Sequence, residues 1–142
     1  MVISGLAILY SEMAEAERLR LECSIKLDCH YLNRGYTGCT FANPVVSMLV
    51  DIDLEANTWA EVGTHKDGTQ TGSSGKLRSV TQYEIVIAEM SYGDGSKEQE
   101  KISRTSGAYS YRERQDTRPI PTEIIWSGTC NKTTKPLPSS KF

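Results

Sequence analysis

A chain of 142 residues is long enough for one domain with a real core and too short for two ordinary ones. Lys and Arg number 16 against 18 Asp and Glu, so there is no bulk positive field to recruit nucleic acid or an anionic membrane, and no apolar run is long enough to span a bilayer as a helix. Tyr-rich aromatic content with frequent Thr, Ser, Val and Ile favours half-buried pleated surfaces over helices.

The N-terminus admits two readings. Val2 to Tyr10 is apolar and Ser11 to Ala16 ends in the small-x-small pattern a signal peptidase accepts, which reads residues 1–16 as the remnant of an export signal. No Lys or Arg precedes the apolar run. The other reading is a short amphipathic helix over Gly5 to Leu21, with Leu6, Leu9, Met13, Ala16 and Leu19 as its packing stripe.

Residues 17–131 carry the pattern of one β domain. Leu21 to Ile25 reads as the first strand and holds Cys23. Cys23, Cys29, Cys39 and Cys130 make an even count, and disulfides Cys29–Cys39 and Cys23–Cys130 are expected, the second tying the first strand to the last. That expectation points to an oxidising compartment, periplasmic or secreted. Zinc held by Cys23, Cys29, His30 and Cys39 is the alternative, but the C-x-x-C knuckles of a structural zinc site are missing.

Further along the chain the period is two. Val46, Met48, Val50, Ile52 and Leu54 alternate with Ser47, Leu49, Asp51, Asp53 and Glu55, the strand turns at Glu55 to Thr58, and Trp59 to Val62 returns. His65 to Gly75 is rich in turn formers and reads as a surface loop. Leu77 to Ala88 is a β-branched run ended by Tyr92 to Ser96. Lys101 to Arg104 and Ala108 to Arg112 form a hairpin turning at Ser106 and Gly107, Thr122 to Cys130 is the last strand, and residues 132–142 read as a tail. Consecutive strands without helical interludes predict an all-β antiparallel meander of six to eight strands, curled into a small barrel or sandwich.

Two resemblances follow from the residues. Val50-Asp51-Ile52-Asp53-Leu54 with Trp59, Ile102-x-Arg104-x-x-Gly107-x-Tyr109-Ser110, Gly128-Thr129-Cys130 and the closing Lys141-Phe142 resemble a group of small secreted or periplasmic proteobacterial proteins of uncharacterised function. This implies an exported β domain and imports no catalytic residue. Ser106-Gly107-Ala108-Tyr109 and Trp126-Ser127-Gly128 are similar to parts of the periplasmic C-type lysozyme inhibitors, although Ser127 stands where that family's inhibitory Lys would be.

Chemistry is sparse. His30 and His65 adjoin no nucleophile signature, Asp51, Asp53 and Glu55 lack the loop of a calcium site, and Gly93-Asp94-Gly95 is a turn rather than a phosphate loop. The candidate binding residues are Arg104, Ser106, Gly107, Tyr109 and Arg112 near one hairpin, where Arg114 and Arg118 add guanidinium groups, and Trp59 and Trp126 as the walls of a barrel mouth. Their structural alternatives are a mixed-charge solvated face and the large pieces of a core. The expected function is a non-catalytic exported binding or envelope-associated module for an unknown protein or small molecule, with no cofactor or metal and no nucleic-acid partner. A protein inhibitor of a hydrolase such as lysozyme is the alternative.

Overall fold

The computed structural model describes residues 18–31, 36–37, 41–93, 95–115 and 122–138. They form β1 (Arg18–Tyr31), β2 (Tyr36–Thr37), β3 (Val45–Asp53), β4 (Thr58–His65), β5 (Gln70–Lys76), β6 (Ser79–Val80), β7 (Glu84–Ser91), β8 (Lys97–Ser103), β9 (Ala108–Gln115) and β10 (Thr122–Lys132). Nine of these lie side by side in the antiparallel order β5-β4-β3-β1-β10-β9-β8-β7-β6, and β2 flanks the far end of β1. The fold is all-β as expected, with more strands than the six to eight predicted. Among the described residues no helix is long and apolar enough to cross a membrane.

The strand β1 is the spine. Leu19, Leu21, Cys23, Ile25 and Leu27 alternate with Arg20, Glu22, Ser24 and Lys26, so one face is apolar along most of its length. One edge pairs with β10 and the other with β3, which joins the two hairpin systems into a single sheet. A helix reaching Leu21 is excluded, because Arg18 to Leu21 are already paired with Val50 to Asp53; residues 1–17, and with them the signal reading, lie outside the described residues.

Sheet order and chain order together force the curl. The strands β5 and β6 are the two ends of the nine-strand path, yet only Leu77 and Arg78 separate them. Three Cα steps reach about 11 Å at most, so the two edges meet there and the sheet becomes a half-barrel. Leu77 N donates to Asn57 O at 2.9 Å and Arg78 N to Val86 O at 2.9 Å, tying the junction to both wings. Leu77 is buried with Leu21, Cys23, Val50, Ile52, Ile85, Ile87, Ile102 and Cys130 in the core that fills this end.

Two segments differ from the sequence reading. The loop expected over His65 to Gly75 contains β5, whose side chains are all exposed. Its order comes from backbone pairing to β4, which needs no apolar pattern. The expected run Leu77 to Ala88 is broken by a turn in which the Thr81 hydroxyl accepts from the Tyr83 and Glu84 amides at 3.2 and 3.1 Å. The Ser106–Gly107 turn stands as predicted, between β8 and β9.

The Cys23–Cys130 disulfide is present, between residues directly opposite in the β1–β10 ladder with Cα atoms 4.0 Å apart. That is the close spacing of a non-hydrogen-bonded antiparallel pair. It is compatible with an oxidising, exported location. It also removes Cys23 from any zinc set. Cys29 lies in β1 opposite Ile124, and the Cys29–Cys39 pairing lies outside the described residues because Cys39 does.

Candidate functional site

Away from the Leu77 junction the inward faces change chemistry. Along β8 the inward positions run Ile102, Glu100, Glu98; along β9 they run Tyr109, Tyr111, Glu113, each opposite its counterpart on β8. Across the half-barrel β4 places Glu61 opposite Val50 on one side and Ser73 on the other. These strands line a cavity of about 440 Å³ whose other wall is Ile25, Met48, Ile124, Trp126, Phe41 and Val45. Ile25, Met48 and Tyr109 belong to the core as well, so the cavity opens directly off it. The Phe41 and Trp126 rings meet at 6.5 Å, tilted by 57°.

The polar wall turns its hydroxyl protons onto its own carboxyls. Tyr109 donates its hydroxyl to Glu100 Oε2, and both are buried, at 6 % and 5 % exposure. Tyr111 donates to Glu98 Oε1 at 2.7 Å and lies 3.2 Å from Glu113 Oε2. Ser73 donates to Glu61 Oε1 at 3.3 Å, Glu61 Oε2 is buried, and a side-chain hydrogen bond links the Glu61 and Glu100 carboxyls. Burial pushes the Glu61 carboxyl from 4.5 up to about 8, and the neighbouring Glu100 adds to the rise while Ser73 opposes it. Burial raises Glu100 too, against the pull of the Tyr109 hydrogen bond. Burial raises both tyrosines, helped by the Glu100 charge at Tyr109 and by the Glu98 hydrogen bond at Tyr111, so both stay protonated. The site is therefore an acid pair held from strands five places apart in the sheet, facing an aromatic wall.

The residues singled out from the sequence are dispersed. Trp126 lines the cavity; Trp59 does not, and instead packs over Gly75 with its indole Nε1 donating to Lys76 O at 3.2 Å. Tyr109 points inward. Arg104, Ser106 and Gly107 stay at the β8–β9 turn, where Arg104 Nη1 donates to Thr81 O at 2.9 Å. They line a second hollow of about 380 Å³ with Leu19, Leu21 and Ile102. Arg112 lies further along β9 with its Nε 4.0 Å from Glu123 Oε2. Arg118 lies outside the described residues, and the described arginines of the set divide, Arg112 and Arg114 lining one hollow and Arg104 another. Asp51 accepts from Arg20 at 3.0 Å and Asp53 from the Ala56 amide at 2.9 Å, which accounts for both carboxylates on that strand without an ion.

Sequence reasoning passed over Glu61 and Glu100. A signal existed for Glu100, which shares the parity of the buried Ile102. None existed for Glu61, because Val62 and Gly63 are both buried and alternation along β4 is lost. Comparison with protein-family models, curated proteins and solved structures returned no match.

Proposed function

We propose that this chain is a non-catalytic, exported binding protein that takes a small amphiphilic molecule into the open mouth of its half-barrel. The observation that carries the reading is the cavity of about 440 Å³, with Trp126, Phe41, Met48 and Ile25 on one side and Glu61, Ser73, Glu100 and Tyr111 on the other. Cavities of a few hundred Å³ that pair an apolar wall with a few convergent polar groups are the usual form of small-molecule sites. Export to the periplasm or medium is supported by the Cys23–Cys130 bridge. The hydrolase-inhibitor alternative has less support, since Tyr109 is buried and Arg104 is engaged with Thr81 O, leaving the Ser106 turn few free anchors.

Titration with the neutral fluorophore N-phenyl-1-naphthylamine tests the reading. Saturable one-to-one binding is expected in the wild type. It should be lost in Thr71→Trp, which fills the cavity from an exposed position on β5. Absence of saturable binding in the wild type, or full binding in the filled variant, would remove the cavity as the site.

A further inference from the structure

We propose that the natural occupant of this cavity is a monovalent organic cation, an amine with an aromatic or aliphatic body, whose charged nitrogen sits between Glu61 and Glu100 and whose body lies against Trp126 and Phe41. The inference rests on the small-ligand reading above and adds the ligand's charge. Three features of the wall lead to it.

The first is charge. The described lining residues include the carboxyls Glu61, Glu100 and Glu113 and no Lys, Arg or His, so an anion entering the cavity would meet like charge on two sides. The second is the hydrogen-bond inventory. The protons of Tyr109, Tyr111 and Ser73 are already given to carboxyls, and Glu61 and Glu100 are hydrogen-bonded to each other through the one proton they keep. A ligand that enters between them must bring N–H or O–H groups to replace that proton, and an ammonium brings up to three with the charge that two ionised carboxyls need. The third is the opposite wall. Ile25, Met48, Ile124 and Trp126 are apolar or aromatic, which suits the carbon body of an amine and offers a ring face to its positive end. A bare metal ion suits the site poorly, because among the described residues no three His, Cys, Asp or Glu side chains gather as a metal ion requires.

Binding then carries a proton signature. The polar groups around the pair are Ser73 from β5, Tyr109, Tyr111 and Glu113 from β9, and Glu98 from β8, whose charge acts on Glu100, while β1, β3 and β10 face the cavity with Ile25, Met48, Ile124 and Trp126. With no cation among them and Glu61 pushed up to about 8, the empty pair keeps a proton at neutral pH. An ammonium ion that enters lets both carboxyls ionise, and the displaced proton leaves to solvent.

The test is calorimetric titration at neutral pH with tryptamine, tryptophol and indoleacetate, which share one indole body and differ in charge, in two buffers of different ionisation enthalpy. Tryptamine should bind about tenfold or more tighter than tryptophol, with indoleacetate weakest, as hydrogen bonds to charged groups of this kind allow. Up to one proton should be released per tryptamine and none per tryptophol. Glu61→Gln and Glu100→Gln should each erase the preference for the amine over the alcohol, with circular dichroism and a cooperative thermal melt used to show that each variant is folded. Equal or tighter binding of tryptophol without proton release overturns the cation inference and leaves the small-ligand reading standing. So does silence from all three indoles in protein that still binds the fluorophore. Loss of fluorophore binding in the wild type overturns both.

Discussion

Glu61 shows how a single position ties stability to function. It lies on the inward face of β4 near Glu100, where burial holds its proton from the ordinary 4.5 up to about 8. Between those values the folded chain binds more protons than the unfolded chain, so stability falls as pH rises through that window. Glu100 shifts in the same direction. Asp67, held low by Thr69, acts only below 3.8 and does not overlap. Thermal melts followed across pH should show the wild-type melting temperature declining toward pH 8, and Glu61→Gln should flatten the decline and melt higher at its alkaline end. A wild-type melting temperature that rises over the same range would exclude a buried, protonated Glu61. Gly107 is the other residue whose identity is dictated locally. Its φ is 76°, and an added Cβ would stand 2.5 Å from Cys130 O, the residue whose amide donates to Gly107 O at 2.8 Å. Gly107→Val should therefore cost about 1–3 kcal/mol in chemical denaturation, whereas Gly93→Val, where a Cβ meets nothing, should change little.

Among elements, the β1–β10 ladder matters most, because among the described residues it is the strand pairing that joins the two wings of the sheet. Gly128 lets the strands approach so closely that any Cβ there would collide with Ser24 O. Two residues along β10, the disulfide joins Cys130 to Cys23 across a sequence separation of 107. Closing so long a loop acts mainly on the unfolded chain, and the register is also set by the alternation of Leu21, Cys23 and Ile25. The double variant Cys23→Ala, Cys130→Ala should therefore fold to the same sheet and lose about 2–4 kcal/mol of stability, measured by denaturant unfolding with circular dichroism checking strand content. Loss of the sheet itself would show that the bridge, not the pattern, sets the register. The tail is also less detached than its composition suggests: Thr133 N donates to Arg20 O at 3.0 Å and Lys135 Nζ reaches Glu22 at 2.9 Å, beyond the end of β10.

At the scale of the whole molecule, the half-barrel has a filled end and a hollow end. Order should grade accordingly. Amides of β1 and β10, paired on both sides around the disulfide, should exchange with solvent slowest, and those of the exposed edge strand β5 fastest, with ligand binding slowing exchange in β4, β8 and β9 above all. Hydrogen exchange read by mass spectrometry checks the order, and a β5 as protected as β1 would mean that its free edge is covered in solution. Residue order by itself determined that the described domain is all-β, that Val46 to Leu54 and Trp59 to Val62 form a hairpin, that a turn falls at Ser106 and Gly107, and that Cys23 and Cys130 stand on the first and last described strands. Those features follow from period-two side-chain patterns and local turn chemistry, which adjacent residues carry. Only the tertiary structure decided that β5 is a strand, that Trp126 lines a cavity while Trp59 packs over Gly75, and that Glu61 and Glu100 share one wall. The physical reason is that backbone pairing at an edge leaves no mark on side-chain pattern, and that the curl bringing β4 to face β8 arises from the two-residue link at Leu77 and Arg78 acting on the whole sheet order.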